Sequence, residues 1–380
     1  MQFDFQTAIN ELNKGLPFGD TFSFKLSRSK VVPGEYLFNQ ILPQEEHATY
    51  HVSGGSMRIY PTMSQLTPMD TPAKPIGAME SNFFNENTAK WGGTMHFPEE
   101  RLRQLQEWYA SMAAVGIQSG LSSGAILGES AKRVTETLLG FSDVLLKSQL
   151  DTLEWLRGQA LTTGAISLTN SGIELTVDYD VPSANKLTVS GSGNSYYGTT
   201  SKFWTHMRAV AKKLSNFKII MNSNTYYSIV DNSVNAVRVE DNFGIRRSIV
   251  KVVGTTEYAS PDKRDRVEIY LYDKSGSGIT PKGTMKALPF LPDGKVIVVG
   301  EQQPDGFELT QGSTADPDNM LRLGHTHIAP TVEGGRPGIW SRIYTPEAKP
   351  YQLLGETYAN ALPVIVNPNK LMILTTDMPA

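Results

Sequence analysis

Cysteine is absent from the 380 residues, so no disulfide, zinc–thiolate centre or thiol nucleophile belongs to this chain. The absence suits a reducing cytoplasm. A surplus of one charge is missing too: 35 Lys and Arg stand against 38 Asp and Glu, a formal net charge of −3. A dedicated nucleic-acid binder shows a basic excess on one face, and so even a balance argues against one. No apolar run approaches the ~20 residues that span a bilayer. The opening, MQFDFQTAINELNKG, lacks the basic segment and apolar core of a secretion signal. No Gly-Lys-Ser/Thr occurs. Gly191-Ser192-Gly193 is followed by Asn194-Ser195-Tyr196, without the third glycine of a dinucleotide loop.

What is present is a scaffold pattern, centred on Glu129 to Asp180. Val134, Leu138, Phe141 and Leu145 recur at helical spacing, with Leu139, Leu146, Leu150 and Leu153 alongside. Ser130 can cap the start of this helix, and Gly158 offers a residue suited to its end. No Pro interrupts it, so the pattern predicts a helix on the order of 40 Å long. Ile166 and Leu168, then Leu175 and Val177, alternate on either side of Ser171-Gly172 and predict a hairpin.

The rest of the chain is extended or mixed. Residues 1–30 carry one short helix, capped by Asp4 and ended by Gly15, too small to form a core alone. From Val31 the chain turns extended, with a turn expected at Ser53-Gly54-Gly55 and a return strand after it. Pro68, Pro72 and Pro75 then forbid both helix and central strand. Met57, Met63, Met69 and Met79 place soft apolar side chains along this region, which suits a contact surface. Pro98 opens a helix running to Ala114, and the Gly/Ser-rich Gly116–Gly128 reads as a break before the long helix. A polar Gly/Ser/Asn segment after Pro182 marks a boundary. Beyond it come a helix from Ser201 to Leu214, strand FKIIMNS, a helical turn in NTYYSIVDN, and strands RSIVKVVG, RVEIYLYD and GKVIVVG. The alternation describes a mixed α/β unit with a central sheet. The last 34 residues, from Glu347, read as extended and are expected to close back onto the long helix.

Four stretches carry a resemblance to a known family. LRGQALTTGAISLTNSGIELTVDYD, KFWTHMRAVAKKL, FLPDGKVIVVG and PVIVNPNKLMILTT resemble, in order and spacing, the lambda-type major capsid proteins of tailed bacteriophages. The resemblance implies an α+β, Hong Kong 97-like capsid fold. It would divide the chain into an N-terminal arm (1–36), an extended E-loop (37–97), a P domain with the spine helix (98–185), an axial A domain (186–346) and strands returning to the P domain (347–380). It implies a head structural protein, not an enzyme, that assembles into the pentamers and hexamers of an icosahedral shell around double-stranded DNA. The implied partners are copies of itself, a scaffolding protein, a portal protein and a decoration protein, with only weak, non-specific DNA contact and no membrane. The implied location is the virion capsid, after assembly in the host bacterial cytoplasm. An encapsulin-like protein compartment shares the fold and is the alternative. An α/β hydrolase or transferase is disfavoured for want of a nucleophile, metal or phosphate signature.

Candidate chemistry is sparse, and no catalytic, cofactor or metal residues are assigned. None of the six His lies beside a Ser in a nucleophile-elbow pattern. His325-Thr326-His327 puts two imidazoles on one face of a strand, a spacing a metal can use, with a third ligand from Glu333 or from a distant residue. Without Cys or a paired carboxylate, such a pair reads as solvated or core histidines. Arg246-Arg247, with Lys251 beyond, and Lys263-Arg264-Asp265-Arg266 read as charges on an edge strand and a turn.

Overall fold

The computed structural model describes residues 35–60, 78–97, 99–100, 103–104, 107, 123–170, 173–189, 196, 202–230, 238–246, 249–255, 266–279, 285–302, 307–308, 321–333, 335–344 and 353–376. The expected N-terminal helix, the proline cluster and the 190–195 loop lie outside them.

The elements run α1 (Phe38–Ile41), β1 (Gln44–Glu46), β2 (His51–Tyr60), β3 (Ala78–Asn87), β4 (Ala89–Phe97), α2 (Ser123–Thr163), β5 (Ala165–Asn170) and β6 (Ile173–Asp178). Then follow β7 (Lys186–Val189), α3 (Phe203–Ala211), β8 (Leu214–Met221), α4 (Ser223–Val230), β9 (Arg238–Arg246), β10 (Ile249–Thr255), β11 (Arg266–Tyr272), β12 (Ser275–Ile279), β13 (Met285–Pro289) and β14 (Lys295–Gln302). The chain closes with β15 (Phe307–Glu308), β16 (Gly324–Ala329), β17 (Trp340–Tyr344), β18 (Leu353–Ile365) and β19 (Leu371–Thr376).

Helix α2 spans 41 residues, about 60 Å, and is longer at both ends than its sequence signals predict. Ser123 to Gly128, expected to break before it, are helical. Gly158 does not end it. A Cβ there would lie 2.3 Å from the Phe290 carbonyl oxygen, so this glycine permits close packing. The residue that closes the helix is Gly164, whose φ of +72° is the left-handed conformation a helix end favours and whose N–H donates to the Ala160 carbonyl. The hairpin β5–β6 follows as expected, paired from Ala165↔Asp178 to Asn170↔Ile173.

From Leu153 to Thr162 every residue of α2 is buried or half-buried, because two sheets enclose this part of the helix. On one side lies a five-stranded sheet in the order β1-β16-β18-β17, with β4 on the other edge of β18. Ala359 and Ala361 of β18 are fully buried and small, which lets helix and sheet approach closely. On the other side lies a seven-stranded mixed sheet, β7-β19-β14-β8-β11-β10-β9. Its central strands alternate between two cores. Ile220, Tyr272, Ile297, Val299, Leu371 and Ile373 face the core built around α2. Ile219, Met221, Leu271, Val296, Val298 and Leu374 face a second core with Phe203, Trp204 and Met207 of α3 and Ile229 of α4. A strand covered on both faces has no reason to alternate in polarity, hence the continuous apolar runs VIVV (296–299) and LMIL (371–374).

The C-terminal strands part company. β18 packs against α2, and β19 joins the seven-stranded sheet between β7 and β14, with Leu371 and Ile373 facing the same core. β16 and β17, upstream of the boundary read at 346, are hydrogen-bonded neighbours of β18. The stretch read as one extended loop, 37–97, has three fates. Its start is packed into the α2 core and its end, β4, is zipped to β18 over nine residue pairs from Leu353↔Phe97 to Ala361↔Ala89. Between them β2 and β3 pair as a ribbon from His51↔Asn87 to Tyr60↔Ala78. Ser53-Gly54-Gly55 is therefore strand, and the expected turn there does not form.

Candidate functional site

The segment leading into the ribbon is anchored by a buried polar junction on α2. Glu154 and Arg157, three residues apart and so on one face of the helix, are 0% and 1% exposed and pair at 3.1 Å. The other carboxylate oxygen of Glu154 accepts the Phe38 backbone N–H at 2.7 Å and the Tyr272 hydroxyl at 2.8 Å. Arg157 Nε donates to Thr326 Oγ1 at 2.7 Å, and that hydroxyl donates to the Leu42 carbonyl at 2.8 Å. Tyr36 adds a bond to Asp151 at 2.6 Å and lies under the Lys274 ammonium, 3.6 Å from its ring centroid. Residues 36–42 are thus tied to α2, β11 and β16 together.

Burial pushes the Glu154 carboxyl up, and the Arg157 charge, the Tyr272 hydroxyl and the Phe38 N–H oppose that push. Burial likewise pulls Arg157 down against the Glu154 charge. Each group is viable inside the core only because the other is there. No pattern of residue types marked these positions, since their partners lie more than a hundred residues away in sequence.

Above the junction the chain brings three imidazoles together. β1 pairs with β16 in parallel, Glu45 opposite His327. His47 follows β1, and its ring stacks on His327 with centroids 4.0 Å apart and planes 4° apart. His325 lies 5.3 Å from His47, centroid to centroid. Burial first, then the charges of His47, His327 and Arg322, push His325 down to about 4. Burial lowers His327 as well, opposed by its bond to the Thr49 carbonyl and reinforced by His47. The candidate third ligand Glu333 is elsewhere, paired with Lys90. The distant residue that joins the pair is His47, and no local motif announces it.

Arg246 is the last residue of β9, the outer strand of the seven-stranded sheet. Arg247 and residues 263–265 lie outside the described residues. A groove of about 590 Å³ runs beside α2, lined by Val144, Leu145, Trp155, Met95, Leu288 and Phe290 among others. No described helix is long and apolar enough to cross a membrane.

A long helix whose C-terminal turns lie between two sheets, with a paired two-stranded ribbon in addition, is an α+β architecture of the Hong Kong 97-like capsid fold. The structure is similar to that of a putative capsid protein from a prophage of Escherichia coli CFT073, with a TM-score of 0.56, 11% identity, and coverage of 95% of this chain and 100% of that one. A phage-related protein from Bordetella bronchiseptica RB50 aligns with a TM-score of 0.47, 9% identity and coverage of 96% and 100%. A chain from Mycobacterium phage Patience aligns with 0.44, 9% and coverage of 100% and 90%. The family model for phage major capsid protein E matches residues 146–376, and the chain belongs to that family: it is a major capsid shell protein. No curated protein matches the chain.

Proposed function

We propose that copies of this chain associate as pentamers and hexamers of an icosahedral phage head around double-stranded DNA, and that the β2–β3 ribbon makes the contact between neighbouring subunits. The ribbon is the observation that carries this. Ten residue pairs at ~3.3 Å each make it about 30 Å long. Its only other strand partner among the described residues is the two-residue β15. Of its described side chains only Val52, at its base, enters the core. A two-stranded ribbon is marginally stable alone and needs a surface to lie on. In a shell that surface is a neighbouring subunit.

The sheets suggest the working division. The P domain comprises α2, β5–β6 and the five-stranded sheet, β16 to β18 included. The A domain comprises α3, α4 and the outer strands β9 to β11. Residues before 36 act as an arm on a neighbour. Assembly takes place in the host cytoplasm with a scaffolding protein and a portal, and a decoration protein can add to the outer face. The DNA inside is held by confinement, with few direct contacts.

Replacing residues 53–85 by an Asn-Gly turn keeps the Val52↔Glu86 pair and removes the ribbon. The expected product is folded, with native near-ultraviolet circular dichroism, and forms no closed shells in electron micrographs where the parent chain does. Closed shells of normal size from the shortened chain refute the ribbon's role. Shells of the parent filled with a protein cargo and never with DNA refute the phage-head reading.

A further inference from the structure

We propose that His47, His325 and His327, with Glu45, form a binding site for a divalent transition-metal ion of the zinc type. The site would staple the start of the ribbon segment to the edge of the five-stranded sheet. It goes beyond the shell function and does not depend on it.

The argument begins with the strand. Residues 325 and 327 are two apart on β16 and so project from the same face. The parallel pairing of β1 with β16 brings Glu45 level with His327, and the His47 N–H donates to the Ile328 carbonyl, which holds the third imidazole over that face. One ring nitrogen from each of the three lies within 4.8 Å of the others. A tetrahedral ion with bonds of ~2.1 Å needs its nitrogens about 3.4 Å apart. The movement the site requires is rotation of the His47 ring off the stack, with His327 kept in place by its bond to the Thr49 carbonyl.

The hydrogen bonds prepare the donors. The Nε2 of His327 is 2.8 Å from the Thr49 carbonyl, which only accepts, so the proton sits on Nε2 and the lone pair on Nδ1. A ligand imidazole anchored through its other nitrogen to a backbone carbonyl is the usual outer-shell arrangement of metal sites. Nε2 of His47 is buried and has no hydrogen-bond partner, a cost that a metal ion would remove. It lies 3.6 Å from Glu45 Oε2, and His325 Nδ1 lies 3.8 Å from the same oxygen. Arg322 engages the other oxygen, Oε1. Oε2 thus faces two of the three imidazoles and is the oxygen we assign to complete the coordination, while Arg322, a cation opposed to a metal, engages the other oxygen. Three imidazoles and one carboxylate suit zinc and its borderline neighbours, whereas calcium and magnesium demand oxygen.

The test uses the full unassembled chain after dialysis against a chelator. Titration with zinc chloride by calorimetry is expected to show one saturable site per chain, with a raised melting temperature in the loaded protein. Cobalt should give the intense visible absorption of a tetrahedral ion. His47→Gln changes a half-exposed side chain and should leave the circular dichroism unchanged, yet weaken binding at least 100-fold. His325→Gln provides a second removal if the first variant misfolds. Absence of a one-to-one site overturns the proposal, and so does binding unaltered in both folded variants, which marks adventitious surface ions. Shell formation plays no part in these readouts.

Discussion

Two glycines of α2 show how local preference and packing separate at single residues. Gly140 is exposed, and a Cβ there would meet nothing within 4 Å. Gly158 sits against the Phe290 carbonyl with no room for a methyl group. Helix propensity favours Ala over Gly at both by ~1 kcal/mol. Gly140→Ala should therefore stabilise the chain by about 0.5–1 kcal/mol. Gly158→Ala should destabilise it by about 1–3 kcal/mol, because backbone atoms of the 290 loop must move. Chemical denaturation of the two variants checks both signs. Equal shifts in the same direction would mean that the contact at Phe290 yields freely.

At the scale of the element, α2 changes character along its length. Leu153, Leu156, Ala160 and Leu161 are each 0% exposed, whereas Val144 is 51% exposed. The first group holds the helix between two sheets, and the second stands in the open groove beside β4. Leu153→Asp buries a carboxylate with no partner and should cost several kcal/mol, leaving insoluble protein. Val144→Asp should change stability by no more than ~0.5 kcal/mol, since its side chain already meets water. If that groove receives a neighbouring subunit, the Val144 variant remains a folded, soluble chain but assembles poorly. Solubility and electron microscopy of the pair separate a residue that makes the fold from one that joins copies. Normal shells from Val144→Asp would free the groove of any assembly role.

For the whole molecule, charge sets what the shell does with its contents. With 35 cationic side chains against 38 anionic ones, the subunit has no surplus with which to condense DNA. A cationic side chain such as Arg246, at the end of an edge strand, can meet at most a few phosphates. Binding through two or three phosphates gives a salt slope of about −2 to −3 on logarithmic axes. The unassembled chain should accordingly bind duplex DNA weakly, with that shallow slope and no sequence preference, in titrations of labelled duplex at several salt concentrations. Tight, sequence-selective binding at physiological salt would remove it from the structural role.

Periodicity within one element was legible without coordinates. Leucines at helical spacing foretold α2, alternation foretold β5–β6, and the apolar runs of β8, β11 and β14 foretold a covered sheet, because each signal depends on neighbours along the chain. The ends of α2 were misplaced for a physical reason. Gly158 and Gly164 look alike in sequence, and only the proximity of Phe290 and a φ of +72° tell the packing glycine from the terminating one. Ser53-Gly54-Gly55 read as a turn because glycine is permissive, but the facing strand decided that it is extended. The joining of Glu154 and Arg157 to Phe38, Tyr272 and Thr326, and of His47 to His325 and His327, was decided by tertiary structure alone. Their separations in sequence run from 116 to 280 residues, and no propensity acts over that distance; strand pairing and the burial of α2 bring them together.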